Sequence, residues 1–163
     1  MDNAVCFTGK RPNSMPWGND ESNPLCIDLK ERIESAVEMT IKKGYTHFIT
    51  GMAQGADIFC AEAVIKLKER YPHITLEAAV PCPEQTERWG WSYKRRYSEI
   101  LGNCSSVKIL RDKYVTGCMQ ERNRYMVDNA RLVIAIYNGS GGGTASTIKY
   151  ARNKGRFVCV IGF

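Results

Sequence analysis

The residues whose types and spacing suit chemistry gather near the end of this 163-residue chain. They run as Leu132-Val-Ile-Ala-Ile-Tyr137, Asn138-Gly-Ser-Gly-Gly-Gly-Thr144 and Ala145-Ser-Thr-Ile-Lys-Tyr-Ala151. The first part is β-branched and apolar and reads as a buried strand. The glycines let a ligand approach the backbone without meeting a Cβ, and Thr144 is placed to cap the helix that follows. The first N–H groups of that helix are unpaired and point back at the loop. A strand, a glycine loop and a helix N-terminus together favour phosphate or another anion. Gly139, Ser140, Gly142, Gly143 and Thr144 are therefore candidate ligand contacts.

Three further stretches could share that site. Gly9-Lys-Arg-Pro12 puts two cations after the first strand, where Arg11 either clamps a phosphate bidentately or belongs to a solvated basic turn. Gly51-Met-Ala-Gln-Gly-Ala-Asp57 is a second loop, with Gly51, Met52, Ala53 and Gly55 as backbone candidates. Its Asp57 either meets a ribose hydroxyl or simply complements a helix dipole. Pro81 ends a third strand. On a predicted helix, Arg122 and Asn123 offer a cation and an amide, or else the basic face of a surface helix.

Common signatures are missing. No G-x-G-x-x-G follows the first strand, no P-loop occurs, and neither His47 nor His73 has a partner at metal-ligand spacing. No Ser-His-Asp order or carboxylate pair stands out. The site is accordingly read as binding, with no catalytic residue, cofactor or metal assigned.

The elements that must position these loops alternate regularly. Predicted strands cover Ala4–Thr8, Thr46–Thr50, Ile74–Val80, Ser106–Leu110, Arg131–Tyr137 and Phe157–Ile161. Helices fall between them. The first starts at Asn23-Pro24, with an apolar face of Leu25, Leu29, Ile33, Val37 and Ile41, and ends at Gly44. Others are predicted over Glu84–Leu101 and Met119–Asn129. Such alternation implies βαβ units, hence an α/β, Rossmann-like three-layer sandwich with a mostly parallel sheet, a single domain over 1–163. Ligands then bind beyond the carboxyl ends of the strands, and the loops after strands one, two, three and five share that edge.

Composition narrows the partner class. The net charge of +6, from 23 basic and 17 acidic residues, suits an anionic small molecule at least as well as nucleic acid. Trp89, Trp91, Tyr93 and Tyr97 are interleaved with Arg88, Lys94, Arg95 and Arg96, as single-strand binding would need. The four-residue recurrence of Trp89, Tyr93 and Tyr97 favours a packed face or protein interface instead, which weighs against nucleic acid. Seven cysteines with no C-x-x-C pair argue against disulfides or zinc. Cys6, Cys60 and Cys159 are read as small hydrophobes in the strands and helices, and Cys82 and Cys118 as loop residues near the site. No apolar run reaches the length of a membrane span, and a cytoplasmic protein, with a homo-oligomer left open, is expected.

Taken together, Phe7-Thr8-Gly9-Lys10-Arg11-Pro12, Gly44 to Asp57, Cys118 to Asp128 and Gly141-Gly-Gly-Thr144 resemble one family, the YpsA-like group of the SLOG superfamily. That superfamily also holds the LOG phosphoribohydrolases and the DNA-processing protein DprA. The resemblance covers nearly the whole chain and implies a domain that binds a nucleotide or ADP-ribose-like ligand, with signalling as one use of such binding. Two alternatives follow from it: a LOG-like nucleotide phosphoribohydrolase or N-glycosidase, and a DprA-like single-stranded nucleic-acid binder. The LOG pattern is Pro-Gly-Gly-x-Gly-Thr-x-x-Glu with a catalytic Glu, and here that place is held by Thr147. Arg122 is similar to the arginine those enzymes pair with the acid. Asp57 or Glu121 would have to replace the Glu, and the uncharged Thr147 argues against hydrolysis.

Overall fold

The computed structural model describes residues 1–163. Six strands form one parallel sheet: β1 (Ala4–Gly9), β2 (His47–Thr50), β3 (Thr75–Val80), β4 (Ser106–Ile109), β5 (Leu132–Ile136) and β6 (Phe157–Ile161). Their order is β4-β3-β2-β1-β5-β6. Helices α1 (Pro24–Lys42), α2 (Ala56–Lys68), α3 (Trp91–Gly102), α4 (Cys118–Asp128) and α5 (Gly143–Asn153) connect them. Right-handed crossovers leave each parallel strand for the next. Because the order runs outward from β1 in both directions, α1 to α3 cover one face and α4 and α5 the other.

The core records those two layers. Alternate β1 residues Val5 and Phe7 face a large cluster with Leu29, Ile33, Phe59 and Ile100 from α1, α2 and α3. Cys6 faces the other side, with Met126 and Val127 of α4 and Ala151 of α5. The central strands are closed on both faces, so they read as continuous apolar runs rather than alternations. Between β1 and β5 the chain direction of winding reverses, and the loops on either side splay apart at the carboxyl edge.

Asn23 caps α1 as expected, accepting from the Leu25 amide at 2.9 Å. Other local expectations are corrected. Leu25 itself is 60% exposed, and Cys26 takes its place on the buried face. The stretch predicted as one helix from Glu84 divides into a 3-10 turn, Pro83–Thr86, and α3, which starts after Gly90. Cys118 opens α4, one residue ahead of the predicted start, and is buried like Cys82. Cys159 lies exposed on edge strand β6, not in the core. Thr144 does not cap α5: the helix begins at Gly143, after Gly142 at φ +117°, and no side chain caps it.

Candidate functional site

At the carboxyl edge, where β1 and β5 diverge, the loops enclose a cleft of about 360 Å³. Its wall brings together Gly9, Arg11, Ala53, Asp57, Arg122, Asn123, Gly142, Gly143 and Thr144, nine of the residues singled out in the sequence. Pro12, Gly51, Met52 and Gly55 lie buried behind that wall. Pro81, Gly139 and Ser140 are not on it.

Arg122 is the centre of the wall. It is only 3% exposed, so the surface-helix reading of α4 fails at this residue. Its Nε donates to Asn123 Oδ1 at 2.9 Å, one Nη to the Gly51 carbonyl, and the other weakly to Met119 Sδ at 3.9 Å. All three partners are neutral, and no carboxylate lies within ion-pairing distance. Gly51 is glycine for a reason of space: a Cβ there would stand 2.9 Å from the guanidinium carbon and 2.8 Å from Asp57 Oδ2.

Asp57 faces Arg122 from the first turn of α2. Its Oδ2 accepts from the Ala53 amide at 3.2 Å, and its carbonyl accepts from the Thr50 hydroxyl at 3.1 Å. Burial raises its pKa above the ordinary carboxylate range, against the opposing pull of Arg122, the Ala53 amide and Arg11. Burial likewise depresses Arg122, with Asp57 opposing. The loop between them is taut: Met52, fully buried, is the one non-glycine residue at positive φ, 61°.

The opposite wall is the glycine loop and the start of α5. Helix geometry leaves the first N–H groups without backbone partners, and no side chain takes them. Lys10, passed over in favour of Arg11 in the sequence, sits beside this loop. It is 7% exposed, and its ammonium donates to the carbonyls of Gly141 at 2.7 Å and Ser140 at 3.4 Å. Arg11 is exposed at the rim. A usable signal was the strand's alternation: continuing Cys6 and Thr8 by two places puts Lys10 on the glycine-loop side. Thr8, Asn13, Ser14, Met119, Gln120 and Gly141 also line the cleft without having been singled out.

Thr147 does not line this cleft. It opens on a neighbouring groove, and its hydroxyl donates back to the Gly143 carbonyl at 2.8 Å. The aromatic stretch also resolves. Trp89 packs edge-on against Tyr93 and Tyr97, with ring centres 6.2 and 5.5 Å away, while Trp91 is 74% exposed with Arg95 over its ring. The four-residue recurrence thus reports packing. No helix is long and apolar enough to cross a membrane, and no cluster of metal-ligating side chains occurs.

Known proteins place the fold in context. Residues 5–156 match the model of the YspA SLOG family. The SPbeta prophage-derived protein YoqJ of Bacillus subtilis is 34% identical over 143 residues, covering 80% of this chain and 84% of that protein. A UPF0398 protein of Lysinibacillus sphaericus is 25% identical over 150 residues, covering 91% and 83%. Among solved structures, DNA processing protein A from Helicobacter pylori, described with its single-stranded DNA binding mode, superposes with a TM-score of 0.66 at 18% identity. DprA from Streptococcus pneumoniae gives 0.67 at 15%. This chain is covered at 96% and 99% but spans only 64% and 51% of those two proteins. At such identities the likeness is one of fold.

Proposed function

The chain belongs to the YspA SLOG family, and from that premise we propose that its cleft binds the phosphate of a nucleotide or ADP-ribose-like small molecule. The observation that carries this reading is Arg122: a buried guanidinium that opens on a cleft and meets only neutral partners. Burying an unpaired cation is costly, and an anion in the cleft relieves the cost. Lys10, Arg11 and the uncapped start of α5 add positive potential on the facing side. A phosphate fits between them, and Asp57 is placed to accept from a ribose hydroxyl.

A second reading has one observation in its favour. Asp57 is a carboxyl whose pKa burial raises despite the opposing arginines, and a proton donor to a leaving base needs such a raised pKa. It reaches the cleft from α2, not from the Thr147 place on α5, so an N-glycosidase here would use a different acid from the LOG enzymes. A DprA-like role in binding single strands has less support, because the aromatic stretch is largely consumed in packing.

The binding reading is tested with a thermal-shift panel of nucleotides against native protein and Gly143→Asp. A ligand at about 100 times its Kd stabilises the native state by about 2.7 kcal/mol. Nothing lies within 4 Å of a Cβ built at Gly143, so the variant should fold normally while its carboxylate repels phosphate. Loss of the shift with unchanged circular dichroism is expected. Nucleotides that give no shift in native protein, or an unchanged shift in the folded variant, would overturn the proposal.

A further inference from the structure

The cleft does not end at α5. On the far side of Gly143 a groove of about 240 Å³ runs between α4 and α5. Gln120, Asn123 and Gly143 line both the groove and the cleft, so the two are one continuous depression with the start of α5 as a low saddle between them. Of the groove's nine lining residues only Tyr150 is apolar in character; the rest offer amides, hydroxyls and the cations Arg124 and Lys149.

The charge balance is the informative part. No carboxylate lines the groove. Neither Arg124 nor Lys149 forms an ion pair, and Arg152 one turn further along α5 has none either, while Arg111 pairs with Glu121 at 2.9 Å and Lys154 with Asp128 at 3.9 Å outside the groove. Arg124 lies over the Tyr150 ring, 5.7 Å from its centre, which steadies the guanidinium without neutralising it. Two cations lining one groove with no carboxylate among the lining residues favour an anion there.

We infer that the groove between α4 and α5 is the second half of the binding site and takes a further phosphoryl group of the same small molecule. The ligand is then a nucleotide with at least two phosphoryl groups, such as one bridged by a diphosphate, with amides and hydroxyls meeting the sugar beyond it. This rests on the phosphate reading of the cleft.

The test compares AMP with ADP-ribose by titration calorimetry, on native protein and on the double variant Arg124→Gln, Lys149→Gln. Both side chains are exposed, so the fold is preserved. Native protein should bind ADP-ribose about tenfold or more tightly than AMP. In the variant that ratio should fall towards one, with AMP affinity unchanged. Equal affinity of native protein for the two ligands overturns the inference while leaving the cleft reading intact, as does a variant that weakens both alike. Failure of AMP and ADP-ribose to bind at all removes the cleft reading and this inference with it. A short single-stranded oligonucleotide that binds more tightly than ADP-ribose and is weakened by the variant would replace the small molecule by a strand.

Discussion

Two arginines come from helices on opposite faces of the sheet and lead opposite electrostatic lives. Arg96 of α3 is held at 2.7 Å by Glu21 and at 2.6 Å by Glu62, and lies 4.9 Å from the centre of the Tyr93 ring. Arg122 of α4 is more deeply buried yet meets a carbonyl, an amide and a sulfur. Their pKa directions follow. Burial pulls Arg96 down, but the two glutamates win and raise it. Burial pulls Arg122 down, and the opposing charge of Asp57 does not reverse it. An arginine whose charge is answered inside the protein ties elements together; on the proposed reading, one left unanswered at a cleft is available to an outside anion. Burial alone does not separate the two. The partner list does.

The comparison breaks most sharply at Arg122. Arg122→Met should lower nucleotide affinity about 100-fold, the loss of two charge-assisted hydrogen bonds. Stability without ligand should stay within about 1 kcal/mol, because an unpaired buried charge is replaced by an apolar chain. The Gly51 carbonyl keeps a donor in Gln85 Nε2, at 3.2 Å. Calorimetry and urea unfolding read the two effects separately, and a large loss of stability with affinity intact would make Arg122 a structural residue after all.

Arg96→Met should do the reverse. Glu21 and Glu62 would face each other without their shared cation, costing about 2 kcal/mol, between the values for exposed and buried pairs. The urea midpoint should drop while nucleotide affinity holds. Weakened binding would show that the α3 cluster communicates with the cleft.

The smallest effect concerns Asp57. Its raised pKa means that the native state keeps a proton which the unfolded chain has released, so the associated stability is fully present below the ordinary carboxylate range. It is lost as pH rises through the raised value. The difference in unfolding free energy between native protein and Asp57→Asn, followed across the acidic range, should fall with pH in this sense. Glu77 works in the opposite sense, its pKa held down by His47 and Tyr125 despite burial, with stability lost as pH falls. An unchanged slope in the Asp57 variant would mean that its carboxyl is ionised and balanced by Arg122.

What the sequence disclosed follows from the range of the forces involved. β6 was legible at both ends because Gly155 and an unbroken apolar run are local signals. The start of α1 was legible because Asn23 and Pro24 act through their own backbone. Leu25 was misread because a four-residue rhythm does not fix which of two adjacent apolar residues turns inward. The loops that form the cleft could be gathered by topology alone, since parallel strands send their carboxyl ends to one edge. Arg122 and Lys10 could not be ranked in that way. Arg122 is buried where α4 meets the Gly51 loop, and Lys10 where the glycine loop reaches it from far along the chain, and neither residue type announces it.

Gly9 has a mechanical consequence. A Cβ at this position would fall 2.3 Å from the Ala56 Cβ and 2.9 Å from that of Ile136, and the Ala56 amide donates to the Lys10 carbonyl at 3.1 Å. The end of β1, the start of α2 and β5 are thus fused into a stiff floor with no slack between them. The glycine loop opposite is exposed and touches little besides the Lys10 ammonium. Compliance is therefore confined to one jaw of the clamp. If the cleft holds the proposed nucleotide, a variant that stiffens the glycine loop should narrow the range of ligands bound, while the floor, with Asp57 anchored in α2, sets one fixed dimension of the site.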